Sequence, residues 1–148
     1  MTWICKKFDD LGPHELYAIL QLRNAVFVVE QHCVFQDADN KDQLCYHVMG
    51  WQQYSLVAYS RIVPPDISYS ESSIGRIVTS PIARRNGIGR ALVNQSIEEL
   101  YALFGKIPIK IGAQLYLQKF YESFGFIQIS DIYLEDDIPH IEMLLQMR

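Results

Sequence analysis

The sequence predicts an α/β (α+β) fold in which a β-sheet is flanked by helices, and three observations carry that expectation. Short runs rich in β-branched and aromatic residues recur between turn formers, as strands do. Longer stretches carry apolar residues at the i, i+3, i+4, i+7 spacing of a helix with one buried face. Between Ser73 and Leu100, a strand-like run stops at a proline and re-enters a helix through Arg84-Arg85-Asn86-Gly87-Ile88-Gly89.

In chain order, Trp3 to Phe8 reads as a first strand. Pro13 suits the first turn of a helix, because its missing N–H is not needed there. Leu16, Ile19, Leu20, Arg23, Val26 and Phe27 form the stripe of that helix. His32 to Asp42 is polar and turn-rich, hence a loop, and its Asp37, Asp39 and Asp42 read as a solvated acidic face. Two strands follow, about Leu44 to Trp51 and Tyr54 to Val63, with a turn near Gln52-Gln53; Pro64 and Pro65 end the second. Ile74 to Ser80 is the next strand, stopped by Pro81, which cannot donate to a ladder. From Ile88 a helix carries Ala91, Leu92, Val93, Ile97, Leu100, Tyr101 and Phe104, and Gly105 suits its C-terminal cap. Ile107 to Ile111 is a strand and a further helix follows. Ile141, Met143, Leu145 and Met147 then alternate as a last strand would.

Composition narrows the class of protein. A chain of 148 residues, 49% apolar and 20% charged, suits one domain with one core. No apolar run approaches a bilayer span, and the start MTWICKKFDD lacks a signal-peptide core, so a cytoplasmic protein is expected. Three cysteines in no C-x-x-C pairing give no disulfide frame or zinc site. The Asp37-Asp39-Asp42 cluster fails as a calcium loop, since it lacks the required glycine and closing glutamate; no metal is expected. A net charge of −4 argues against a nucleic-acid partner, whose phosphates demand basic contacts.

Gly87 and Gly89 sit where a loop becomes a helix. There the first backbone amides lack partners and the helix dipole is positive, so the segment predicts a phosphate cradle. A mononucleotide P-loop would need Gly-Lys-Ser/Thr where the chain has Gly89-Arg90-Ala91, and a dinucleotide fingerprint would need a small residue at Leu92. What remains is R/Q-x-x-G-x-G/A. Downstream, Gln114 to Phe126 carries Tyr121, Gly125 and Phe126 in the register of N-x-x-A-x-x-x-Y-x-x-x-G-F, with Gln114 in the Asn slot and Leu117 in the Ala slot.

On these two signatures the chain resembles the GNAT acyltransferases. It is similar to their ElaA-like subgroup through Leu22-Arg23, Val26 to Gln31, Cys33, Asp39, Asp42, His47, Arg61, Ile74 to Val78 and Glu135 to Ile141, with Asp137 in a slot usually held by Gly. The resemblance implies a twisted mixed sheet with the order β-α-β-β-β-α-β-α-β-β. It also implies acetyl-coenzyme A as co-substrate and an amine acceptor attacking the thioester directly. Amides from Arg85, Asn86, Gly87, Ile88, Gly89 and Arg90 would bind the pyrophosphate, with Arg84 and Arg90 adding charge. Ile77, Val78 and Thr79 would pair with the pantetheine arm, beside Gln114. The amide of Thr79 would stabilise the oxyanion and Tyr121 would be the general acid, or a hydrogen-bond donor to the sulfur. For the base, Glu30, His47, Glu135 and His140 stand as candidates on the acceptor side, with solvent as an alternative. A coenzyme-binding sensor is the rival reading, and the apolar tail from Leu144 to Met147 permits a homodimer.

Overall fold

The computed structural model describes residues 1–148. Its strands form two antiparallel sheets. The first runs β1 (Thr2–Lys7), β2 (Tyr46–Gln52), β3 (Ser55–Val63), β4 (Ser73–Thr79) in spatial order. In the second, β8 (Ile138–Leu145) lies between β5 (Ile109–Gln114) on one edge and the short β6 (Ile127–Gln128) and β7 (Tyr133–Glu135) on the other. Helices α1 (Pro13–Arg23), α2 (Ile88–Phe104) and α3 (Gln118–Glu122) complete the architecture. No helix is long and apolar enough to cross a membrane.

The first sheet is buried on both faces, which explains why β2 and β3 read as nearly continuous apolar runs. Met49, Tyr59 and Val78 pack against Ile19, Leu22 and Val26 of the first helix and its extension. Val48 and Ile62 join Leu92, Val93, Ile97 and Leu100 of α2 in the larger core cluster. Gly105 closes α2 at φ 85°, its N–H bonding to the carbonyl of Tyr101 at 2.8 Å.

The two sheets touch at one end only. Ser72 and Ile109 make a single parallel bridge, reinforced by the Lys110 amide on the Ser72 carbonyl (2.9 Å) and the Ser72 hydroxyl on the Pro108 carbonyl (2.8 Å). Beyond it β4 and β5 have no ladder between them, and a cleft opens.

Several expectations change at the boundaries. The first helix, expected to run past Phe27, is α-helical only to Arg23 and continues as a π-helical turn, Asn24–Glu30. The strand expected at Ile107–Ile111 runs instead from Ile109 to Gln114, so Gln114 ends a strand rather than opening a helix. A 3₁₀ turn, Leu115–Leu117, precedes the short α3. There are eight strands rather than seven, because β6 and β7 are too short to leave a period in the sequence.

The acidic loop is a correction. Asp37 and Asp42 are buried, and with Asp39 they close a ring with three arginines. Arg23, wholly buried at 0% exposure, reaches Asp37 (2.7 Å) and Asp42 (2.8 Å). Arg61 bridges Asp42 and Asp39 at 2.8 Å each, and Arg76 bridges Asp37 (2.8 Å) and Asp39 (3.4 Å). Six alternating charges cancel, which is how ionised groups survive burial. The ring ties the 32–42 loop to the first helix, β3 and β4. His47 belongs to its foundation and not to the cleft: its Nε2–H donates to the Asp42 carbonyl (2.9 Å), and its Nδ1 accepts from the Tyr59 hydroxyl (2.7 Å). Burial lowers its pKa below that of an ordinary imidazole, which keeps it neutral.

Candidate active site

The cleft between β4 and β5 has a volume of about 560 Å³. Its walls are the β4 stretch from Ile74 to Thr79 and the β5 stretch from Ile111 to Gln114. Phe120 and Tyr121 of α3 close one side; the π-helical turn and the β7–β8 turn close the other.

At one end lies the start of α2. Gly87 caps it at φ 73°, and Arg85 has the same φ of 73°. No backbone amide from Arg85 to Arg90 donates to an acceptor in the protein. A Cβ on Gly87 would meet nothing within 4 Å, and one on Gly89 only Phe120 at 3.9 Å, so the space in front of these amides is open. Bare amides at the positive end of a helix dipole are an anion site. Gly89 and Arg84 line the cleft itself; Arg85, Asn86, Gly87, Ile88 and Arg90 stand at its end, outside the lining.

The arginines differ in their freedom. Arg84 is held by Glu30 at 2.7 and 2.8 Å and donates to the Thr79 carbonyl at 3.1 Å. Arg90 lies over Phe124 (4.8 Å) and bonds the Ser123 hydroxyl (3.0 Å). Arg85 is exposed and has no partner. The Arg84 hydrogen bonds hold the Glu30 carboxyl below its usual range, a poor property in a base.

Along β4, the Ser80 amide bonds back to Val57 on β3 (2.8 Å). Strand alternation therefore turns the Thr79 amide away from β3 and toward the cleft, which Ile77 also lines. A bulge interrupts the pairing between Tyr59 and Arg61 of β3, and there Arg76 takes φ 50° while its side chain is fixed in the charge ring.

Tyr121 is 6% exposed, packed edge-on against Phe120 (5.2 Å) and Phe126 (6.0 Å), and lines the cleft with a hydroxyl that has no hydrogen-bond partner. Burial raises its pKa, so the phenol is protonated. Across the cleft, Gln114 faces its register partner His140 and reaches Gln31 at 3.5 Å. The His140 Nδ1 lies 2.7 Å from the Ile138 carbonyl. A carbonyl only accepts, so Nδ1 carries the proton. The remaining nitrogen, Nε2, is 3.4 Å from a Glu135 oxygen. Of the acceptor-side candidates, Glu30, Glu135 and His140 therefore share the cleft.

Comparison with known proteins gives the family. The acetyltransferase (GNAT) domain family matches residues 26–147. The chain belongs to the GNAT acetyltransferase family. Within it, the chain is 42% identical to protein ElaA of Escherichia coli over 97% of this chain and 95% of that one. The ElaA crystal structure superposes with a TM-score of 0.92, covering 98% of this chain and 99% of that one at 40% identity. An acyl-CoA N-acyltransferase from Pseudomonas aeruginosa gives a TM-score of 0.93 at 41% identity, with 97% of each chain covered. The GNAT fold, with its splayed sheets, extends to an aminoglycoside 6′-N-acetyltransferase crystallised with coenzyme A (TM-score 0.70, 20% identity, 97% of this chain and 96% of that one).

Several ElaA-like sequence marks fall in the charge ring and its foundation: Arg23, Asp39, Asp42, His47, Arg61 and Arg76. Sequence reading missed Asp37 as their partner. No local signal marks it, because the pairing depends on contacts between residues up to 39 positions apart.

Proposed function

We propose that the protein transfers the acetyl group of acetyl-coenzyme A to a primary amine, both substrates bound together. The observation that carries this reading is the shared opening of the bare amides at the α2 start and the unpartnered Tyr121 hydroxyl. The amides from Arg85 to Arg90 receive the pyrophosphate, with the Arg85 guanidinium in reserve. The pantetheine arm lies along β4, its amide groups meeting the backbone of Ile77 and Thr79.

The length of that arm bears on the oxyanion donor. Thr79 touches Arg84 and so stands at the cradle end. An arm of pantoyl, β-alanyl and cysteaminyl units spans roughly four strand residues at about 3.3 Å each, which carries the thioester past Thr79 toward the bulge. The donor assigned to Thr79 by motif position is better served by Ile77, with Thr79 holding the arm. Removing such a donor typically costs about 2.7–4 kcal/mol in the transition state. Tyr121 donates to the departing sulfur.

Titration calorimetry with acetyl-coenzyme A tests the cradle, run beside the double variant Gly87→Glu/Gly89→Glu. Binding that the variant loses supports the reading, and no binding to the wild type overturns it. Stabilisation by the coenzyme without thiol release in the presence of any amine would leave a sensor.

A further inference from the structure

We infer that the acceptor is a small primary amine with no carboxylate beside its nitrogen, received by Glu135 and deprotonated by Nε2 of His140; this rests on the acetyl-transfer reading above. The charges lining the cleft can be paired off. Arg84 neutralises Glu30 at 2.7 Å, and Arg76 is held by Asp37 at 2.8 Å inside the closed ring. Glu135 and Asp136 are left, on the β7–β8 turn, with His140 beside them. The side of the cleft facing the bulge is therefore negative, and it attracts an ammonium group.

The same end is open to solvent at Glu135 and Asp136 and partly apolar behind them. The Cys33 thiol meets the Asp136 carbonyl at 3.7 Å, which brings the segment after the π-helical turn against the β7–β8 turn. Phe27, Phe35 and Ile138 supply apolar wall between these polar groups. Such a lining fits an amine on an apolar body. An amino acid would set its carboxylate against Glu135 and Asp136, and like charges at close range reject a ligand strongly.

His140 has the geometry of a proton acceptor. It is 6% exposed and faces the cleft. Its Nδ1–H is committed to the Ile138 carbonyl, so the neutral ring offers the Nε2 lone pair. Glu135 holds the incoming ammonium and then faces the imidazolium that forms. The ammonium gives one proton to Nε2, which returns it to solvent. The nitrogen lone pair forms the C–N bond as the carbonyl π pair moves to oxygen, and collapse of that oxyanion breaks the C–S bond. The sulfur takes a proton from the Tyr121 hydroxyl, which recovers the amine's second proton through solvent. The products are the N-acetyl amide, coenzyme A thiol and one free proton.

A matched pair of acceptors tests the inference: phenethylamine against phenylalanine, which share a body and differ in the carboxylate. Thiol release from acetyl-coenzyme A gives kcat and KM, and calorimetry gives coenzyme affinity. The wild type should favour phenethylamine by about tenfold or more in kcat/KM, a difference of one like-charge contact. Glu135→Gln, at an exposed site, should raise the KM for phenethylamine several-fold and leave coenzyme affinity unchanged. His140→Gln should lower kcat by about 10²-fold or more. Equal use of the two acceptors, or a Glu135→Gln enzyme with unchanged KM, overturns the inference while acetyl transfer stands. No thiol release with either amine, in a protein that binds the coenzyme, overturns the inference, and the absence of release with every other primary amine offered overturns acetyl transfer as well.

Discussion

Tyr121 combines two properties that pull its chemistry in opposite directions. An ordinary phenol has a pKa of about 10 against about 8.5 for a thiol, and burial raises the Tyr121 value further. Full proton transfer to a free thiolate would run uphill, so the proposed hydroxyl acts while the C–S bond is still breaking and most basic charge is on the reacting atoms. Tyr121→Phe is therefore expected to lower kcat by about 10²-fold with unchanged coenzyme affinity, read from steady-state rates and calorimetry. A second residue-scale expectation concerns the β7–β8 turn. Asp136 (φ 50°) and Asp137 (φ 63°) both occupy the left-handed region, the requirement of a type I′ hairpin. Asp-Gly satisfies that turn better than Asp-Asp. Asp137→Gly should stabilise the fold by roughly 0.5–1 kcal/mol, measured by urea unfolding, because the left-handed penalty of a side chain disappears.

At the scale of elements, the strand–proline–helix passage, the Gly105 cap and the β2–β3 hairpin were legible in the sequence because each is dictated by neighbours within a few residues. The π-helical turn was not, since its apolar residues continue the stripe of α1 and only the hydrogen-bond register changes. Helix α3 was legible as an element but not in its length: a 3₁₀ turn, Leu115–Leu117, leads into only five helical residues. Its exit is fixed by Gly125, at φ 105°, where a Cβ would also press on Leu145 at 3.1 Å. Gly125→Ala should destabilise by roughly 1–3 kcal/mol and show as a lowered midpoint in chemical denaturation. The second sheet, not the cradle, would be the part that loosens.

For the whole molecule, the charge ring is the feature that sequence reading took for solvated surface. A sequence displays charges but not the depth at which they come to rest, and this ring assembles from four separated segments. Removing one member should be severe: Arg23→Met leaves Asp37 and Asp42 short of a partner, a loss of about 3–5 kcal/mol. The ring also sets the response to acid. Burial would raise the carboxyl pKa values of Asp39 and Asp42, but the arginine hydrogen bonds outweigh it and hold both below the usual range. Their stabilisation is complete above an ordinary carboxyl pKa of about 4 and drains away as the pH falls toward the depressed folded values. His47 acts earlier. Its folded pKa is lowered, so the unfolded chain binds the proton more readily, and stability declines once the pH drops below about 6.5. Thermal melts across pH should show two steps downward, and His47→Gln should remove the first. Of the candidate site, the cradle and Tyr121 were readable as local motifs. The exclusion of His47 was not, because its contacts with Tyr59 and the Asp42 carbonyl decide it, nor was the meeting of Gln114 and His140, which strand pairing across 26 residues decides.

The single bridge at Ser72 and Ile109 leaves two strand edges, on β4 and β5, facing each other without partners. Bare edges are templates for pairing with another chain, and folds that carry them tend to blunt or cover them. In this protein the proposed pantetheine arm would be the cover. The coenzyme would then act on solubility as well as on chemistry, because a chain deprived of it carries an unfinished sheet through a crowded solution. Light scattering during prolonged incubation should rise more slowly with coenzyme A present than without it, at temperatures where both samples remain folded.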